Sequence, residues 1–172
     1  MVKELKWFIK RKLLVKDETA KKLADNYIKK ARNNIVTMEV LSKAPNFKDI
    51  LKLPNDYDSS EWVVISAYYS MYLAALSLLA KLGYRSKNHT ATSKALEDLF
   101  VKKKILEKEY IKILENIKLQ KEEVEELNKV RDRREIAQYS VTKETTKDVA
   151  ERTKKDARKF VDRMEELFNS LD

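Results

Sequence analysis

From Trp62 to Ala80 the chain runs nineteen residues without a charge, although 38% of the sequence is Asp, Glu, Lys or Arg. A stretch of that length either spans a bilayer or lies inside a protein whose other helices cover it. It holds three tyrosines and three serines, and the flanking segments are amphipathic helices that need an apolar surface to cover. The expectation is therefore an internal helix buried on all sides, with no membrane. Ser66, Ala67, Ser70, Ala74, Ala75 and Ser77 are small enough to let neighbouring helices approach closely.

The surrounding segments supply those neighbours. Asp17 can cap a helix to about Lys43, with Ala20, Leu23, Ala24, Tyr27, Ala31, Ile35, Met38 and Leu41 on its apolar face. Pro45 stops it. Residues 44–60 hold both prolines and read as a loop, with one helical turn around Phe47 to Leu51. Ser59 or Ser60 caps the central helix, which ends near Leu82 at Gly83. Asn88 or Thr90 caps a short helix to about Val101. A long helix starts near Leu106 with the stripe Tyr110, Ile113, Leu114, Ile117, Val124 and Leu127. Thr145 to Asp148 forms an approximate capping box for a last helix that buries Val149, Ala157, Phe160, Val161, Met164, Leu167 and Phe168.

The fold class is all-α: an antiparallel up-and-down bundle of four main helices plus a short one, with no sheet. One Gly and two Pro in 172 residues leave little material for strand turns. Residues 1–172 read as one domain, with 1–16 a basic N-terminal extension. Its start, MVKELKWFIKRKLL, is unlike a signal peptide. The absence of Cys excludes disulfides and thiolate chemistry and is compatible with the cytoplasm.

The net charge of +9 is uneven: residues 1–43 carry +7 and residues 81–112 carry +5. An excess of this kind either is a solvated Lys-rich surface or favours anionic partners such as nucleotide or RNA. Candidate chemistry gathers at the end of the fourth main segment. Projected at 100° per residue, Arg131 and Gln138 fall on the apolar face, with Arg134 and Tyr139 on its flanks. Buried charge needs partners, so Arg131, Arg133 and Arg134 either leave the bundle into solvent or line a groove for phosphate or carboxylate. His89 is the only histidine. Alone, without Cys, it cannot make a metal site, and no cofactor motif is present. At a helix start it is either a capping and packing residue or a general base. Glu122, Glu123, Glu125 and Glu126 read as a solvated face.

The order of these pieces resembles the HEPN-domain family, small stand-alone prokaryotic type. The resemblance rests on Ala67-Tyr68-Tyr69-Ser70-Met71-Tyr72, Gly83, Lys87-Asn88-His89, Phe100 and the segment Arg134-Glu135-Ile136-Ala137-Gln138-Tyr139. It implies an all-α bundle that often dimerises. Many such proteins partner a small nucleotidyltransferase, frequently as toxin and antitoxin, and others are metal-independent ribonucleases. The family's ribonuclease signature is an Arg, usually followed by a polar residue, then four to six residues and a His, on the penultimate helix. Here Tyr139 lies in the matching region, and no His follows Arg134.

Two classes of function follow from the resemblance. The first is a non-catalytic or regulatory partner of a nucleotidyltransferase that binds nucleotide or RNA through Arg131, Arg133, Arg134, Gln138 and Tyr139. The second is a metal-independent endoribonuclease with an altered set, Arg134, Tyr139 and His89. The absent His favours the first. A homodimer without cofactor or metal is the expected assembly.

Overall fold

A computed structural model describes residues 4–132 and 147–171, with the side chains of 127–132 left out. Its helices are α1 (Leu5–Lys10), α2 (Ala24–Lys43), α3 (Lys48–Leu51), α4 (Ser60–Lys81), α5 (His89–Leu96), α6 (Lys108–Asp132) and α7 (Lys147–Ser170). Two three-residue strands, β1 (Leu14–Lys16) and β2 (Tyr84–Ser86), and three short 3₁₀ or π segments lie between them. The fold is all-α in class, and the five helices expected from the sequence are all present.

The caps explain several boundaries. The Asp17 carboxylate accepts the Thr19 N–H at 2.9 Å and starts a 3₁₀ turn that leads into α2. The Asn88 side chain accepts the Ala91 N–H at 2.8 Å and starts α5. At α4 the expected serine cap is replaced. Ser59 donates its hydroxyl to the Leu41 carbonyl at 2.7 Å, tying α4 to the end of α2, and the Asp58 carboxylate takes the Ser60 N–H at 2.9 Å. Pro45 does not end the helical path at once: a 3₁₀ turn, Ala44–Phe47, carries it into α3. After α5 the chain widens into a π-turn, Glu97–Val101, which sets Phe100 into the core at 1% exposure. Thr145 and Thr146 of the expected capping box lie outside the described residues.

α4 is the hub, packed against α2, α5, α6 and α7. The six small residues expected to admit its neighbours, Ser66, Ala67, Ser70, Ala74, Ala75 and Ser77, are all buried, and the Ser70 and Ser77 hydroxyls each donate to the carbonyl three residues back at 2.7 Å. Most of the helix is covered by the rest of the fold. The expectation of burial on every side nevertheless needs correction. Trp62 and Tyr69 are 57% and 44% exposed. Ile65, Tyr72, Leu73 and Leu76 are half-buried. At 100° per residue these six occupy one sector of roughly 100°, the side that the neighbouring helices leave open.

The expectation of no sheet also needs correction. β1 and β2 pair antiparallel in the register Leu14↔Ser86, Val15↔Arg85, Lys16↔Tyr84. The Asp17 N–H to the Gly83 carbonyl (2.7 Å) and the Lys87 N–H to the Leu13 carbonyl (2.9 Å) extend the ribbon at its two ends. The segment before Asp17 is therefore packed into the fold, with Phe8 3% and Leu14 0% exposed. Three-residue strands are too short for alternation to register in a sequence, so only the pairing identifies them. Gly83 enters the ribbon at φ +75°, a left-handed conformation that glycine adopts freely.

α7 closes the bundle with Phe160, Val161 and Met164 fully buried. Val149, expected in the core, is half-buried, and Ala150 and Thr153 take the inward positions. The Thr153 hydroxyl donates to the Gln120 side chain of α6 at 2.7 Å. On the other flank Arg32 of α2 bridges Asp162 (2.5 Å) and Glu165 of α7, and Arg158 bonds Glu39 at 2.6 Å.

Candidate functional site

The only histidine sits where α4, α5 and α6 meet. Asn88 caps α5, so His89 is its first residue and points inward at 8% exposure. Tyr68 and Tyr72, one helical turn apart on α4, stack on each other at 5.8 Å between ring centres. The imidazole lies against both, at 5.8 Å from Tyr68 and 5.7 Å from Tyr72, with interplanar angles of 18°. A second layer of polar contacts holds the helix start: the Thr92 hydroxyl donates to Ser86 Oγ at 2.8 Å.

This enclosure governs the chemistry of the ring. Among the described residues neither ring nitrogen of His89 makes a hydrogen bond of good geometry, the Leu114 carbonyl of α6 offering only a weak one, and the hydroxyl of Ser93, one turn further along α5, has no partner. Burial, reinforced by the Lys118 ammonium of α6, pushes the His89 pKa down to about 4, against weaker opposing effects of Glu122 and the Leu114 backbone. The imidazole is therefore neutral at pH 7 and a weak base. Burial, then the neighbouring Tyr72 and Tyr69, pushes the Tyr68 hydroxyl up to about 12, so it remains a protonated donor. Lys121 stands over the Tyr68 ring at 5.3 Å.

The structure describes only part of the candidate set. Arg131 lies near the end of α6, and its side chain is outside the described set. Arg133, Arg134, Gln138 and Tyr139 all lie outside the described residues. His89 faces α6 at Lys118 and Glu122, and the thirteen residues from Lys118 to Arg131 span about 20 Å along a helix. Arg131 and His89 are thus not neighbours through α6 itself. The acidic run is solvated: Glu122, Glu123 and Glu126 are exposed. Two of the run pair with lysines one turn back, Lys118–Glu122 at 3.4 Å and Lys121–Glu125 at 2.6 Å. No group of three His, Cys, Asp or Glu residues that could hold a metal occurs among the described residues. Tyr68 and Tyr72 carry the family resemblance in the sequence but no predicted role there. Their i,i+4 spacing was the available signal that one ring pair would frame a single inward contact.

An all-α bundle built on one apolar hub helix, with a Tyr–Tyr–His stack that buries the imidazole at the start of a short helix, defines the class. The HEPN domain model matches residues 18–167, and the chain belongs to that family. No curated protein matches it.

Proposed function

We propose that the chain is a non-catalytic or regulatory HEPN protein that partners a small nucleotidyltransferase, of the toxin–antitoxin kind, and binds RNA or nucleotide through Arg131, Arg133, Arg134, Gln138 and Tyr139. One observation carries the preference for binding over cleavage. Metal-independent RNA cleavage needs a base to take the proton of the 2′-hydroxyl, and the sole histidine is sealed in a tyrosine stack with its proton affinity lowered. Supporting a protein partner, the open face of α4 presents Trp62 and Tyr69, side chains favoured at interfaces. The same reading makes the protein a cytoplasmic homodimer with the Arg134 end of α6 near its interface. Light scattering that reports a 20.3 kDa species at high concentration would count against the dimer.

The test of binding is the affinity for structured and single-stranded RNA as salt is raised. Affinity falls with salt and falls again in the Arg131→Ala/Arg134→Ala double variant, while the thermal melt is unchanged. Equal binding by parent and double variant refutes the role of the cluster. The alternative, a metal-independent endoribonuclease using Arg134, Tyr139 and His89, requires cleavage in chelator that disappears in Arg134→Ala or His89→Ala.

A further inference from the structure

Beside the β-ribbon lies a pocket of about 240 Å³ whose described lining residues include none of the histidine stack and none of α6. Its floor is apolar, from Leu23 at the end of the 3₁₀ turn before α2 and Leu76 of α4. Its walls carry two half-buried tyrosines, Tyr27 of α2 and Tyr84 of β2, and its rim carries Arg85 and Lys87. The two cations differ. Arg85 is held by the Asp17 carboxylate and by Thr19 Oγ1 at 3.1 Å. Lys87 is exposed, and its ammonium makes no ion pair among the described residues. Arg85 and Lys87 are the two cations among its lining residues, and no carboxylate lines it among the described residues.

Those features specify a ligand that is flat and apolar at one end and anionic at the other. Pockets that enclose drug-sized ligands run to roughly 300–1,000 Å³, so this smaller one holds a ring and leaves the rest of the molecule outside, over Lys87. Aromatic walls stack a planar ring whatever its substituents. A lysine ammonium is a mobile point charge suited to phosphate. A fatty or aliphatic anion would leave the tyrosine faces unused, and inorganic phosphate would leave the apolar floor empty.

We propose that the pocket formed by Tyr27, Leu76, Tyr84 and Lys87 binds one nucleotide unit, with the base against the tyrosines and the phosphate at Lys87. The unit comes either from a free nucleotide or from the end of a single strand of RNA. The site lies beside the ribbon, and its proposed contacts use none of Arg131, Arg133 or Arg134.

The experiment measures binding of adenosine triphosphate, a single-stranded hexa-adenylate and inorganic triphosphate to the full chain by calorimetry. Lys87→Ala and Tyr27→Leu each weaken adenosine triphosphate at least tenfold with an unchanged thermal melt, and inorganic triphosphate binds at least tenfold more weakly than the nucleotide. Hexa-adenylate that binds more tightly than the triphosphate identifies a strand as the source, and the reverse order identifies the free nucleotide. The Arg131→Ala/Arg134→Ala variant keeps its affinity for adenosine triphosphate within twofold, even if its RNA binding is lost. Parental affinity in both pocket variants overturns the proposal, as does failure of the parent to bind any of the three probes. Loss of nucleotide binding in the arginine variant alone also overturns it and assigns the ligand to α6.

Discussion

Replacing His89 by Phe should flatten the acid limb of the stability curve. In the folded chain the imidazole titrates at about 4, because burial first and Lys118 second disfavour its charged form. In the unfolded chain it titrates near 6.5. The folded pKa is the lower one, so between these values the unfolded state binds the proton and the folded state refuses it. Stability from this group is intact above pH 6.5, falls as the pH drops, and levels off below pH 4. At 1.36 kcal/mol per unit, the loss is about 2 kcal/mol at pH 5 and about 3 kcal/mol at pH 4. Phe retains the ring against Tyr68 and Tyr72 and removes two poorly satisfied nitrogens, losing only the weak contact with the Leu114 backbone. At pH 7 the variant should therefore be as stable as the parent or more so. The assay is urea unfolding of both proteins at half-unit steps from pH 7.5 to pH 4. Carboxylates titrate in both, so the difference between the curves isolates residue 89. In the parent, nuclear magnetic resonance follows the same event without ambiguity, since the chain has one histidine. Parallel stability curves, or an imidazole midpoint near 6.5, would refute the enclosure of His89 on which its weak basicity rests.

Leu14 is fully buried in the ribbon, so Leu14→Ala should cost about 2–5 kcal/mol in chemical unfolding; a change within error would mean that the N-terminal segment does not pack on the bundle. Gly83→Ala should destabilise by about 1 kcal/mol or more, because φ is +75° and a Cβ would sit 2.7 Å from the Glu18 carboxylate, whose flexible end can retreat. Lys104 holds φ +59° just after the π-turn, so Lys104→Gly should raise stability by up to about 1 kcal/mol, visible as a higher melting temperature; a lower one would show that the lysine side chain contributes more than its backbone strain costs.

The helices were legible because their causes are local. Asp17 and Asn88 cap through atoms two or three residues away, and the inward residues of α7, such as Ala157, Phe160, Val161 and Met164, repeat at the helical period. Membership of the HEPN family was legible for the same reason, since the residues that carry it follow one another along the chain. The arginine candidates were equally legible as a cluster, but Arg133 and Arg134 lie outside the described residues, so their surroundings rest on sequence alone.

What the chain could not announce by itself depends on residues far apart in sequence. Leu14 finds Ser86 across seventy-two positions, and neither three-residue strand has meaning without the other. The composition of α4 made it the hub, yet only the placement of four neighbours decided that Trp62 and Tyr69 stay uncovered while Met71 and Leu78 are sealed. His89 followed the same rule. Its sequence made it a helix-start residue with an ordinary imidazole, and the approach of α4 and α6 removed the water that would have let it keep a proton. Local preference is written residue by residue, whereas solvent exclusion is a property of surfaces that meet only when the chain has folded.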